Sequence, residues 1–351
     1  MTVNKVDLLD LSYKELQELV VAWGEPEFRA EQIWHWAYHM LTDDPREMTT
    51  LPKELRQRLV EQAHIGRLEV VDTIMSEDGL TEKVVFQATD DCLLETVLMR
   101  YTDRNTVCVS SQVGCTVGCL FCATGQAGFE RDLTVAEIAA QVLYFARRLR
   151  EQDAHLTNVV FMGMGEPMLN FDAVWKAILN LHNPEGLSLG ARRFTISTAG
   201  VVPGIERMAH ESLSVGLAIS LHAPDNDLRD RLVPLNRRYP LEHLLEACRL
   251  YIERVGRRVT FEYVLVEGLN DWDAHALQTA QLLQGLLCHV NLIPLNPTPD
   301  CDYEASGSER VLRFQEILVD KGIQTTVRLR RGIDIQAGCG QLRGEYQRMR
   351  G

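Results

Sequence analysis

The 351-residue chain is 46% hydrophobic and 24% charged, a globular balance that excludes a disordered or fibrous protein and leaves room for a sizeable core. No apolar run approaches the ~20 residues that span a bilayer, and Met1–Asp7 lacks the start of a signal peptide, so a cytoplasmic protein with no membrane partner is expected. Net charge is −13, but residues 1–100 carry 20 acidic against 10 basic side chains while 328–351 are net positive through Arg328, Arg330, Arg331, Arg343, Arg348 and Arg350, so a polyanionic partner is not excluded.

From Ser12 to about Ala63 apolar residues recur at helical spacing: Leu16, Leu19, Val20 and Trp23, then Ile33, Trp36, Ala37 and Met40, then Leu55, Leu59 and Val60. This reads as a small helical domain over 1–65. Three strand-like runs follow, Leu68–Met75, Thr81–Ala88 and Cys92–Tyr101, parted by Glu77-Asp78-Gly79 and Asp90-Asp91 turns, which gives a β extension over 66–103.

Over 104–335 the pattern becomes strand then helix. Strands are expected at Val107–Ser110, Asn158–Met162, Phe194–Ser197, Gly216–Leu221, Thr260–Val264 and Val290–Pro294, with amphipathic helices such as Val135–Leu149, Leu241–Val255 and Ala274–Leu286 between them. Six such units imply an α/β fold, a partial (β/α)6 barrel whose active site lies at the carboxyl ends of the strands. Residues 336–351 form a separate C-terminal segment.

Nine cysteines is an odd count, and Cys115, Cys119 and Cys122 fall within eight residues as C-x3-C-x2-C after the first barrel strand. Three thiolates in a loop suit an iron–sulfur cluster with one open iron; a zinc site with a distant fourth ligand would use the same donors. Gly163-Met164-Gly165-Glu166-Pro167 follows the second strand, where Gly165 allows close backbone approach and Glu166 can accept from an ammonium group. Ser197, Ser220-Leu221-His222 and Asn296 add polar groups at the same rim, although each alone also reads as a turn or capping residue. Cys92, Cys248, Cys288 and Cys301 read as buried small hydrophobes.

The cysteine spacing, with Phe121 before the last cysteine, resembles the radical S-adenosylmethionine (SAM) signature. Together with Cys108-Val109-Ser110-Ser111-Gln112-Val113-Gly114-Cys115 and Ala337-Gly338-Cys339-Gly340-Gln341-Leu342, it resembles the radical SAM adenine methyltransferases that act on 23S rRNA and tRNA, over nearly the whole chain. The resemblance implies one [4Fe-4S] cluster on Cys115, Cys119 and Cys122, and two SAM molecules per turnover. One SAM methylates Cys339; the other yields the radical that removes a hydrogen atom from that methyl group. The carbon then adds to C2 of adenine, and Cys108 releases the product by forming a disulfide with Cys339. Glu95 matches the family's proton acceptor. A flavodoxin or ferredoxin donor and a monomeric state also follow from the resemblance.

A sister family methylates C8 of the same ribosomal adenine. Ala123-Thr124-Gly125 suits either family, whereas Pro167-Met168-Leu169-Asn170 favours C2. A non-catalytic zinc-stabilised RNA-binding module remains an alternative of another class. A radical SAM activase of a partner protein would leave Cys108 and Cys339 without work.

Overall fold

A computed structural model of the chain describes residues 5–298, 301–328 and 330–343. Arg348 and Arg350 of the basic tail lie outside these residues.

The amino-terminal helices are Tyr13–Ala22, Phe28–Trp34 and Lys53–Gln62. The first begins at a reciprocal cap: Glu15 N–H donates to the Ser12 hydroxyl (3.3 Å), and Ser12 N–H donates to the Glu15 carboxylate (2.6 Å). The second runs into a π turn over His35–His39. That wider turn rotates the buried face, so Trp34 and Tyr38 are buried beside Ile33 and Ala37, Trp36 packs against the core only in part, and Met40, expected in the same stripe, is 47% exposed. Trp34 stacks on Tyr38 with ring centres 4.3 Å apart. These residues share one apolar core with the barrel.

One ten-stranded sheet organises the rest. Its strands are β1 (Glu69–Met75), β2 (Thr81–Gln87), β3 (Leu93–Arg100), β4 (Asn105–Cys108), β5 (Asn158–Phe161), β6 (Phe194–Thr198), β7 (Gly216–Ser220), β8 (Val259–Leu265), β9 (Cys288–Pro294) and β10 (Thr325–Val327), in that spatial order. β1 to β4 pair antiparallel, and β4 to β10 pair parallel. All six expected barrel strands are present. The seventh parallel strand, β10, spans three residues, too few for an alternation to stand out in the sequence. The β extension is continuous with the barrel sheet, because β3 pairs with β4 in a register that sets Val97 opposite Cys108.

The helix Val135–Arg150 anchors the segment that leads into the cysteine loop. Its Gln141, fully buried, accepts from the Thr96 hydroxyl (2.7 Å) and Ser110 N–H (2.8 Å) and donates to the Ser110 carbonyl (3.1 Å). One amide thus ties β3, the end of β4 and a helix. Replacing Gln141 by Leu leaves these buried groups without partners and lowers stability by about 2 kcal/mol or more. Urea denaturation reads this directly, and an unchanged midpoint would show that the three bonds contribute nothing.

Candidate active site

A cleft at the carboxyl ends of the parallel strands encloses about 990 Å3, continuous with solvent and within the range of ligand sites. Its walls include Cys115, Cys119, Cys122, Gly165, Glu166, Ser197, Ser220, His222, Asn296 and Cys339. The cysteine loop is bracketed by a short hairpin, Gln112–Gly114 with Phe129–Asp132, and Cys115 N–H donates to the Gly128 carbonyl (2.8 Å). Burial pushes the Cys115 thiol up to about 12 and also raises Cys119 and Cys122. Without bound cationic iron the three thiols are therefore neutral, and loading the cluster must release their protons. Among the described residues no three His, Cys, Asp or Glu side chains close around a single ion. A cluster takes one thiolate per iron, so three separate thiols suit it.

Glu166 lies beneath this loop, 3% exposed. Its carboxylate accepts from Ala199 N–H (2.7 Å) and Met168 N–H (3.0 Å), yet burial outweighs these bonds and lifts its pKa to about 7. Gly165 adopts φ +98°, and a Cβ there would stand 2.5 Å from the Gln112 side chain, so only glycine fits the turn. Gln112 in turn accepts from Glu166 N–H (2.8 Å). His222 is held neutral: burial, then the Arg229 charge, depress its pKa to about 3, and its Nδ1 accepts from Val264 N–H (3.0 Å), which assigns the proton to Nε2.

Cys339 reaches the cleft because its segment folds back across the mouth. Ala123 N–H donates to the Gly340 carbonyl (2.7 Å), the Thr124 hydroxyl to the Leu342 carbonyl (2.6 Å) and the Asn296 amide to the Cys339 carbonyl (3.1 Å). The flanking glycines follow from that closeness, since a Cβ on Gly338 would stand 2.7 Å from the Asn296 and Gln341 side chains. A second cavity adjoins the first and is lined by Val97, Met99, Cys108, Arg328 and, again, Cys339. Burial raises the Cys108 thiol to about 12, with a smaller contribution from Cys339 opposed by Arg328.

Of the residues singled out from sequence, ten therefore line the cleft, and Cys108 lines the adjoining cavity with Cys339. Leu221 and Glu95 line neither. Leu221 is buried in the core and takes part through its carbonyl, which accepts from Arg229 Nε (3.0 Å). Glu95, 1% exposed, pairs with Lys83 at 3.9 Å, two residues along β3 from Val97. All nine cysteines are free, so the Cys108–Cys339 disulfide is not a link in this structure; hydrogen bonds, not a disulfide, hold the C-terminal segment. Sequence reasoning missed Glu262, which lines the cleft 3.9 Å from Arg328. The signal was one acidic residue inside an otherwise apolar strand, Thr260-Phe261-Glu262-Tyr263-Val264.

Residues 109–280 match the model of the Radical SAM superfamily, and residues 6–65 match that of the ribosomal RNA large subunit methyltransferase N-terminal domain. A radical SAM methyltransferase from Sphaerobacter thermophilus, known by its crystal structure, is 54% identical with a TM-score of 0.95, covering 97% of this chain and 99% of that one. Fold and cleft are thus those of a radical SAM enzyme, a class that uses a [4Fe-4S] cluster and SAM. Relatives named "Probable dual-specificity RNA methyltransferase RlmN" include those of Roseiflexus castenholzii, 45% identical over 96% of either chain, and Chloroflexus aurantiacus, 48% identical over 97% of this chain and 93% of that one. The chain belongs to the RlmN family of dual-specificity RNA methyltransferases. No helix among the described residues is long and apolar enough to cross a membrane.

Gly165→Ala tests the glutamate turn. The added methyl must displace Gln112 and with it the Glu166 backbone, so SAM affinity measured by equilibrium dialysis is expected to fall at least about tenfold, equivalent to ~1.4 kcal/mol, at unchanged iron content. Wild-type affinity would show that the turn does not touch SAM.

Proposed function

We propose that this chain methylates C2 of an adenosine in 23S rRNA, and in tRNA 3′ of the anticodon, through an S-methylated Cys339. The observation that carries this reading is that Cys339 lines both the cysteine cleft and the cavity that holds Cys108. The names of the relatives support RNA as the substrate. A monomer in the cytoplasm, supplied with electrons by a flavodoxin or ferredoxin, completes the reading.

Cys115, Cys119 and Cys122 would hold the cluster. Glu166 would accept the SAM ammonium group, with the Gly165 backbone beside it, and Ser197, Ser220, His222 and Asn296 would fix the remaining polar atoms. When bound, the cluster and two SAM molecules supply a methyl group and an abstraction of one hydrogen atom. The Cys339 sulfur takes the methyl group and gives up its proton. After hydrogen loss, that carbon bonds to C2 of adenine, an electron-poor position unsuited to methyl-cation transfer. Cys339 is then joined to RNA. The C2 proton would leave to a base, for which Glu95 is the candidate on its proximity to the Cys108 cavity, and the one electron left unpaired by the addition would return to the cluster that supplied it. Attack of the Cys108 sulfur, as its thiol gives up a proton, on the Cys339 sulfur would break the sulfur–carbon bond with its electron pair on carbon; that carbon takes up a proton to become the methyl group, and the disulfide left behind is reopened by two electrons from the donor and two protons.

The electrostatics of Glu166 give a pH dependence. Its pKa near 7 in the free protein means that an ammonium ligand, which needs the carboxylate, must first drive off a proton at lower pH. SAM binding is expected to tighten as pH rises from about 6 to 8, with protons released at pH 6, and Glu166→Gln should abolish the dependence. Isothermal titration in buffers of different ionisation enthalpy counts those protons; a pH-independent wild type would remove Glu166 from the ammonium site.

Cys108→Ala should accumulate a nuclease-sensitive protein–RNA adduct that disappears in the Cys108→Ala/Cys339→Ala double variant. Normal turnover by Cys108→Ala would refute the two-cysteine release. Nucleoside mass spectrometry of RNA treated with the unaltered enzyme should show 2-methyladenosine, and 8-methyladenosine would reassign the chain to the sister activity.

A further inference from the structure

The interior of a closed (β/α) barrel is ordinarily filled by layers of branched apolar side chains. Here the inward positions on the lower half of the strands carry Thr106, Asn158, Thr195, Thr260, Asn291 and Thr326. Threonine and asparagine are too short to fill the space, and a cavity of about 1160 Å3, continuous with solvent, remains, against about 990 Å3 for the cysteine cleft. Its lower end lies at the amino ends of the strands: Asn158 is the first residue of β5, while Thr106, Thr195 and Thr260 are the second of β4, β6 and β8. Exposed Arg104 and Thr326 also border it. At its upper end it shares Met162, Glu262 and Arg328 with the cysteine cleft. Those three side chains separate the two spaces.

The shared boundary contains a buried carboxylate. Glu262, 5% exposed, faces Arg328 at 3.9 Å and accepts from the Asn291 amide (3.0 Å). Asn291 accepts from the Thr326 hydroxyl (2.6 Å), which lies 2.9 Å from His289 Nε2. Polar groups therefore run unbroken from the carboxylate down the wall of the lumen. A cavity so lined is wet, because each water finds several partners.

We propose that the barrel lumen is a water-filled passage from the amino ends of the strands to the catalytic cleft, and that Glu262 at its inner end takes up the proton Cys339 loses on methylation. The second half rests on the function proposed above. The step balances: the sulfonium carbon–sulfur bond of SAM and the Cys339 S–H bond break, the Cys339 S–CH3 bond forms, and the proton passes through Glu262 to lumen water. With SAM seated in the cleft, the route from above is occupied by the reactant. The lumen is the route left open.

Two measurements on the full-length, cluster-loaded protein test this. The thiol introduced by Thr260→Cys, treated with methyl methanethiosulfonate and followed by peptide mass spectrometry, should react at least about tenfold faster than fully buried Cys248. Saturating SAM should leave that rate unchanged while suppressing labelling of Cys339. Labelling as slow as Cys248, or blocked by SAM, overturns the passage. Next, Glu262→Ala should slow single-turnover methylation of Cys339 about a hundredfold, the scale of a positioned proton acceptor. Added formate should restore the rate, and Thr195→Leu in the same chain should cancel that rescue. A purely structural carboxylate would not be replaced by formate, so absence of rescue overturns the relay. An unaltered enzyme that never methylates Cys339 would instead overturn the underlying reaction, leaving the labelling result to stand by itself.

Discussion

The contact on which the cleft depends is the clasp between the carboxyl-terminal segment and the helix that follows the cysteine loop. The Thr124 hydroxyl donates to the Leu342 carbonyl across 218 residues of sequence, and the neighbouring Ala123 N–H donates to the Gly340 carbonyl. Both bonds use backbone carbonyls of the returning segment, and Asn296 takes the Cys339 carbonyl as well. The Cys339 side chain therefore bears none of the load. On the function proposed above this matters, since a methyl added to the sulfur would disturb none of the bonds that hold the segment in place.

Charge in this region is arranged by burial more than by pairing. Desolvation raises the Cys108, Cys115, Cys119 and Cys122 thiols and Glu166 and depresses His222. The main exception at the boundary of both cavities is Arg328, whose charge is favoured first by Cys339 and then by Glu262. A cation there stabilises a sulfur as it loses its proton, and the adjacent acid offsets the cost of keeping that cation half-buried. Burial of these groups also strengthens each interaction they make with a charged cofactor, because little solvent screens it.

The fold was legible where periodicity was strong. Strands β4 to β9 are apolar runs separated by amphipathic helices, and Cys115, Cys119 and Cys122 announce themselves by spacing. What escaped had physical reasons. β10 is three residues long and carries two threonines, so it offers no alternation. The π turn at His35–His39 shifts the buried stripe by a fraction of a turn that a 3.6-residue period does not contain. Glu262 and Arg328 are separated by 66 positions and become a pair only when β8 and the end of β10 are brought to one lumen. Leu221 shows the converse: its place between Ser220 and His222 suggested the rim, but the pleat sends its side chain into the core.

The antiparallel strands explain why the Cys108 cavity is separate from the lumen. A parallel barrel of seven strands that stops short of closure leaves a gap between its first and last strands, and here β3 lies along β4 at that gap. Met99 and Tyr101, at the end of β3 and just beyond, reach both the lumen and the Cys108 cavity. The Tyr101 ring is sandwiched between the guanidinium groups of Arg104 at 4.1 Å and Arg331 at 4.4 Å, and Arg331 also donates to the Arg100 carbonyl (3.0 Å). The returning carboxyl-terminal segment is thereby pinned to β3 on one side, through Arg331 and through Lys83 donating to the Gln336 carbonyl (3.4 Å), and to the cysteine loop on the other. Cys339 hangs between these two attachments. The same strand pairing that extends the sheet sets Val97 opposite Cys108, and both line the cavity that Cys339 borders, so the extension builds one wall of that cavity.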